Sequence, residues 1–99
     1  MFVSGQTPML PDGTVPEGVS AQADVVVEKL RSALGSVGLS LVAIAKVTYF
    51  LTDIADLPDL RTALDAALPV PRPAASLVEV SGLIDPRFRI EIEAIAVRG

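Results

Sequence analysis

From Arg87 to Arg98 the sequence alternates without a break. Phe88, Ile90, Ile92, Ala94 and Ala96 fall on one side of an extended chain, and Arg89, Glu91, Glu93, Ile95 and Val97 on the other. A period of two held over that length fits a half-buried strand and not a helix, whose faces recur about every 3.6 residues. Such a strand cannot bury its apolar side alone, so the rest of the chain must supply sheet partners and a covering layer.

The other segments supply both. Met1-Phe2-Val3 reads as a short strand running through Ser4-Gly5-Gln6 into a Pro- and Gly-rich loop from Thr7 to Gly18. From about Ser20 the apolar positions Val26, Leu30, Ala33, Leu34 and Val37 lie on one helical face, and Gly38 offers a left-handed stop. Ser40 can cap a short turn through Ile44, after which Ala45, Val47, Tyr49 and Leu51 alternate with Lys46, Thr48, Phe50 and Thr52 as a strand. Asp53 and Asp56 precede a second helix carrying Leu57, Leu60, Leu64 and Leu68, with Pro58 tolerated in its first turn and Pro69 ending it. Pro71-Arg72-Pro73 is an extended connector to a strand over Ala74 to Val80, and Gly82 to Pro86 makes a turn.

The order strand, helix, strand, helix, strand, strand predicts an α/β (α+β) fold with a mixed sheet. Right-handed crossovers would place both helices on one face, and two adjacent antiparallel strands would close the chain. The expected register puts Glu79, Glu91 and Glu93 beside Leu77, Ile95 and Val97 on the uncovered face. That mixture is too apolar to stay open and too charged for a monomer core, which predicts an oligomer. At 99 residues, with no linker or repeat, the chain reads as one domain spanning 1–99, burying roughly 64% of its unfolded surface and keeping about 5,400 Å² exposed.

Composition narrows the chemistry. The sequence has no histidine and no cysteine, which removes Ser-His-Asp and Cys-His nucleophilic machinery, disulfides and almost every zinc site. Catalysis would run on carboxylates, hydroxyls, Arg, Lys, backbone groups and water. A net charge of −4 with three Phe, one Tyr and no Trp argues against nucleic-acid binding, which needs phosphate neutralisation and stacking surfaces. No apolar run is long enough for a signal or a membrane span, so a soluble cytoplasmic chain is expected.

Several residues could carry function, each with a structural alternative. Ser4-Gly5-Gln6 leaves a strand at a glycine that permits close backbone approach, or simply caps backbone groups. Glu79, Glu91 and Glu93 could hold a general base for activating water, or pair with Arg87, Arg89 and Arg98. Arg72, held between prolines, could grip a substrate carboxylate or serve loop packing. Asp53 and Asp56 read as helix caps, without a third group at metal-binding spacing.

Taken together, Phe2-Val3-Ser4-Gly5-Gln6, Lys46 to Asp53, Pro73-Ala74, Val78-Glu79-Val80 and Ile90 to Val97 resemble the RidA family of reactive intermediate deaminases, also called YjgF-like and historically endoribonuclease L-PSP. The resemblance implies a chorismate-mutase-like fold assembled as a homotrimer with clefts between subunits. It also implies cofactor-free, metal-free hydrolysis of enamines and imines such as 2-aminoacrylate to a 2-keto acid and ammonia. The implied ligand is a small metabolite: a 2-imino acid, enamine or keto acid. In the family a glutamate near the C-terminus positions the attacking water, and Glu91 matches it. Ser4, Gly5, Gln6, Ser76 and Leu77 correspond to cleft positions.

The family's carboxylate-clamping arginine follows Pro-Ala directly, and here that position is Ala75. Losing a charge-assisted bidentate contact removes about 1.5–3 kcal/mol of carboxylate binding. Family members usually carry a further strand with an aromatic residue ahead of the Phe-Val-Ser-Gly-Gln segment, and this sequence begins after it. The expected function is a RidA-like trimer binding a small carbonyl or imine compound, with hydrolysis altered or absent. Alternatives are full 2-iminobutanoate/2-iminopropanoate deaminase activity through Arg72 or backbone groups, or a non-catalytic structural or regulatory trimer. The nuclease label lacks support in a chain with no histidine and no basic groove.

Overall fold

The computed structural model describes residues 1–98. In order along the chain are β1 (Phe2–Gln6), α1 (Val19–Gly35), a 3₁₀ turn (Leu41–Ala43), β2 (Ile44–Leu51), a second 3₁₀ turn (Ile54–Asp56), α2 (Leu57–Ala67), β3 (Ala74–Glu79) and β4 (Ile90–Ala96). The strands form one sheet in the order β1-β4-β2-β3. β4 is antiparallel to both neighbours, while β2 and β3 are parallel. From β1 to β2 and from β2 to β3 the chain steps the same way along the sheet, so crossovers of one hand lay both helices on one face. The mixed α+β sheet with its one-sided helical layer is the predicted architecture.

α1 presents Ala23, Val26, Val27, Leu30 and Leu34, all buried, to the sheet residues Val47, Leu51, Ile90, Ile92, Ala94 and Ala96. α2 adds Leu60 and Leu64, with Leu57 and Leu68 at the margin. Gly38, at φ 77°, is the expected left-handed stop. Leu39 N–H donates to the Leu34 carbonyl and Gly38 N–H to that of Gly35, so the last carbonyls of α1 are satisfied. Val37 is corrected by the same turn: the helix ends at Gly35, and Val37 is exposed. Ser40 sits at the start of its 3₁₀ turn without a side-chain cap, whereas Asp53 does cap, accepting from Ala55 N–H at 2.9 Å.

Two expectations for the C-terminal half are overturned. β3 and β4 are not adjacent, because β4 inserts between β1 and β2. The alternating apolar side of β4 is buried from Ile90 to Ala96 and needs partners on both edges, while all six residues of β3 are exposed and suit the sheet margin. The face of β3 is also the reverse of that expected. Parallel pairing sets Ala75, Leu77 and Glu79 beside Val47, Tyr49 and Leu51 on the helix side, leaving Ala74, Ser76 and Val78 beside Lys46, Thr48 and Phe50 on the uncovered side. Glu79 therefore leaves the expected carboxylate group and accepts from Ile54 N–H at 2.7 Å, holding the second 3₁₀ turn.

Gln22 is a polar residue on the buried stripe of α1, only 2% exposed. Its amide donates to the carbonyls of Pro16 and Arg87, and its oxygen accepts from Arg89 N–H at 2.7 Å. The side chain thus ties the long loop, α1 and the entry to β4 together with its polar atoms satisfied. The exposed surface, 5500 Å², agrees with the value expected from chain length.

Candidate functional site

The uncovered sheet face carries Lys46, Thr48 and Phe50 from β2, Glu91, Glu93 and Ile95 from β4, and Phe2 at the edge. Phe2 is 82% exposed, the apolar part of a face that a single chain leaves bare. A hollow of about 120 Å³ lies there between Phe2, Lys46, Thr48, Glu93 and Ile95.

At one end of this face Glu91 and Gly5 meet. The pairing of β1 with β4 slips between Val3 and Gln6, so Ser4 and Gly5 occupy an irregular step opposite the strand that carries Glu91. A methyl group at Gly5 would overlap Glu91 Oε2 and stand 2.9 Å from Cδ. The half-buried carboxylate thus lies across a residue chosen for having no side chain. Gln6 turns its amide back onto the Ser4 carbonyl at 3.0 Å, the backbone-capping role weighed for it from sequence.

Glu91 and Glu93 have no ion-pair partner among the described residues, because the arginines nearby in sequence are engaged elsewhere. Arg89 forks onto Asp56, with Nε to Oδ2 at 2.6 Å and Nη2 to Oδ1 at 2.9 Å. Arg87 pairs with Asp85, whose carboxyl it holds down at about 2. Arg98 donates to the Val37 carbonyl at 2.7 Å. Of the two readings weighed for the glutamates, pairing with these arginines is not found among the described residues.

Arg72 lies at the end of α2. Its guanidinium donates to the Leu64 and Asp65 carbonyls at 3.0 and 3.2 Å, with the Asp65 carboxylate 3.5 Å away. It neutralises the negative end of the helix dipole. Tyr49 is buried on the same side of the sheet, and burial pushes its hydroxyl above the ordinary phenol value against the opposing charge of Arg72. Both residues serve packing of the connector rather than the Glu91 end of the opposite face.

Ala75 and Leu77 stand on the helix side of β3, and Glu91 on the uncovered side of β4 two strands away. Within one chain these positions cannot converge on a single ligand. Ser76 is on the same face as Glu91, where its Oγ accepts from Lys46 Nζ at 2.6 Å. Sequence reasoning alone passes over Lys46, since its place on this face follows only once the register of β2 is fixed. No cluster of metal-binding side chains occurs among the described residues, and no described helix is long and apolar enough to cross a membrane.

The description "Endoribonuclease L-PSP" belongs to the family whose pattern matches residues 1–98. The 2-iminobutanoate/2-iminopropanoate deaminase of Salmonella typhimurium is 39% identical over 103 residues, covering 99% of this chain and 79% of that protein. The crystal structure of the Escherichia coli YjgF gene product superposes with a TM-score of 0.92 at 36% identity, covering 99% of this chain and 80% of that one. Escherichia coli TdcF, crystallised with bound serine, gives a TM-score of 0.90 at 35% identity over the same shares. By sequence pattern, strand order and whole-chain superposition, this chain belongs to the endoribonuclease L-PSP family, that of the YjgF and RidA proteins.

Proposed function

We propose that the chain assembles as a homotrimer whose clefts between copies bind a small carbonyl or imine compound, and that it hydrolyses the C=N bond with Glu91. The observation that carries this reading is the unpaired Glu91 carboxylate lying over Gly5. The deaminase named among the relatives and the serine-bound TdcF structure support a small-molecule ligand at the same fold. The placement of Ala75 and Leu77 on one sheet face and Glu91 on the other favours a cleft built from two copies. The bare Phe2, Val78 and Ile95 favour an assembly that covers this face.

In the proposed reaction, water adds to the imine carbon. Glu91 accepts the water proton as the C–O bond forms and passes it to the imine nitrogen, leaving a neutral carbinolamine. A proton then moves from the new hydroxyl to nitrogen as the C–N bond breaks, so a carbonyl compound and ammonia depart and the carboxylate is regenerated. No other group has to change its redox or covalent state. Specificity differs from that of 2-imino-acid deaminases because position 75 offers a methyl group where a guanidinium would hold a carboxylate.

The test generates 2-imino acids with an amino-acid oxidase and follows their loss with the wild type and Ala75→Arg, after light scattering has shown equal masses. Faster hydrolysis by Ala75→Arg than by the wild type supports the reading. No acceleration by either protein, on 2-imino acids or on simpler imines, overturns it.

A further inference from the structure

We infer that the substrate of this cleft is an imine or enamine that carries no carboxylate. The inference rests on the hydrolytic role proposed for Glu91 and follows from where the eight cationic side chains lie. Lys29, Arg31 and Arg61 belong to α1 and α2, across the sheet from Glu91. Arg72 is fixed on the C-terminal carbonyls of α2. Arg87 is paired with Asp85, and Arg98 with the Val37 carbonyl. Arg89, two residues before Glu91, has its fork filled by Asp56.

Lys46 alone shares the face of Glu91, and it is bonded to Ser76. It lies four residues along β2 from Phe50, the register partner of Glu91, which is about 13 Å of strand. The β3 strand that a second copy would contribute, Ala74–Glu79, carries no cation of its own. The Glu91 end of the face therefore holds two like charges, Glu91 and Glu93, about 7 Å apart along β4, while Lys46, the one cationic side chain of the face among the described residues, stands at its far end beyond Glu93.

A substrate carboxylate brought within about 6 Å of Glu91 would meet repulsion near a factor of a hundred in binding at an effective dielectric of about 20. An uncharged imine meets none, and its protonated iminium form is attracted and more readily attacked by water. The site's charge thus selects against 2-imino acids and for imines made from simple amines. A reaction that oxidises a primary amine to its imine is the class that would supply this substrate.

The test uses two ketimines that differ only in a methyl or a carboxylate on the imine carbon: butan-2-imine from butan-2-amine and a flavin amine oxidase, and 2-iminobutanoate from 2-aminobutyrate and an amino-acid oxidase. Each is followed by semicarbazide trapping with the wild type and Ala75→Arg. The wild type is expected to show kcat/KM at least about tenfold higher for butan-2-imine, with the preference narrowed or reversed in Ala75→Arg. A wild type that prefers 2-iminobutanoate overturns the inference and leaves the hydrolytic reading standing. So does a wild type inactive on both imines beside an Ala75→Arg variant active on 2-iminobutanoate. Inactivity of both proteins on both imines overturns the hydrolytic reading itself.

Discussion

Gly5→Ala separates the fold from the proposed chemistry. Gly5 is not among the glycines with positive φ, which are Gly13, Gly18 and Gly38, so alanine fits the backbone. Ordinary contact with a Cβ begins near 3.4 Å, and Glu91 Cδ would stand at 2.9 Å with Oε2 closer still. The carboxyl carbon must retreat by about 0.5 Å and the oxygen by roughly 1 Å, a movement that a flexible side chain makes at about 0.5–1.5 kcal/mol of rotamer strain. Loss of unfolded-state freedom returns about 0.4–1 kcal/mol, so net stability changes by no more than about 1 kcal/mol. A displacement of about 1 Å in a group that positions water can lower turnover by about a hundredfold. Urea denaturation and imine hydrolysis are to be measured on the same preparation. Retention of full kcat by a folded Gly5→Ala would show that the place of the Glu91 carboxylate over Gly5 does not matter for hydrolysis. A drop of several kcal/mol in stability would show that Gly5 serves packing instead.

Three further outcomes follow from the same geometry. Glu91→Gln should leave assembly and melting behaviour intact while lowering kcat by about a hundredfold or more, read by light scattering and hydrolysis; dissociation would mark a buried structural carboxylate. Gln22→Leu strands the Pro16 and Arg87 carbonyls and the Arg89 N–H, and should destabilise the chain by about 2–4 kcal/mol in denaturant titration. Asp85 should titrate at about 2 by carboxyl NMR and rise part of the way towards 3.8 in Arg87→Gln, chiefly through loss of the guanidinium hydrogen bonds, while the residue-87 backbone N–H bond remains. Its folded value is depressed, so its small stabilising contribution is present above 3.8 and lost as pH falls through about 2; an unmoved titration in Arg87→Gln contradicts this.

Local patterns carried the elements, and non-local pairing escaped them. The apolar side of β4, the stripe of α1 and the stop at Gly38 follow from periods and backbone preferences that neighbouring residues determine. Whether β4 lies beside β3 or between β1 and β2 depends on which strand can leave both faces exposed. The short, weakly apolar Ala74–Glu79 run contains that information only when compared with Ile90–Ala96. The face of β3 turned on a one-residue difference in register, which moves every side chain across the sheet and carried Glu79 out of the glutamate group. Gln22 had a readable signal, a long polar side chain on a buried helical stripe. At the site, the meeting of Gly5 with Glu91 joins residues 86 positions apart, and its detail depends on the irregular step in β1 that no periodicity encodes.

In the proposed assembly Glu91 of one copy and β3 of another complete each hydrolytic site, and subunit mixing tests that sharing. Glu91→Gln and Leu77→Glu, each shown to fold and assemble, are to be unfolded together in equal amounts, refolded, and assayed for imine hydrolysis against either variant alone. In a cyclic trimer with random mixing, about one site in four receives both intact halves, so activity near a quarter of wild type is predicted. Recovery of no activity from a properly mixed trimer would place the site within a single chain and overturn the shared cleft.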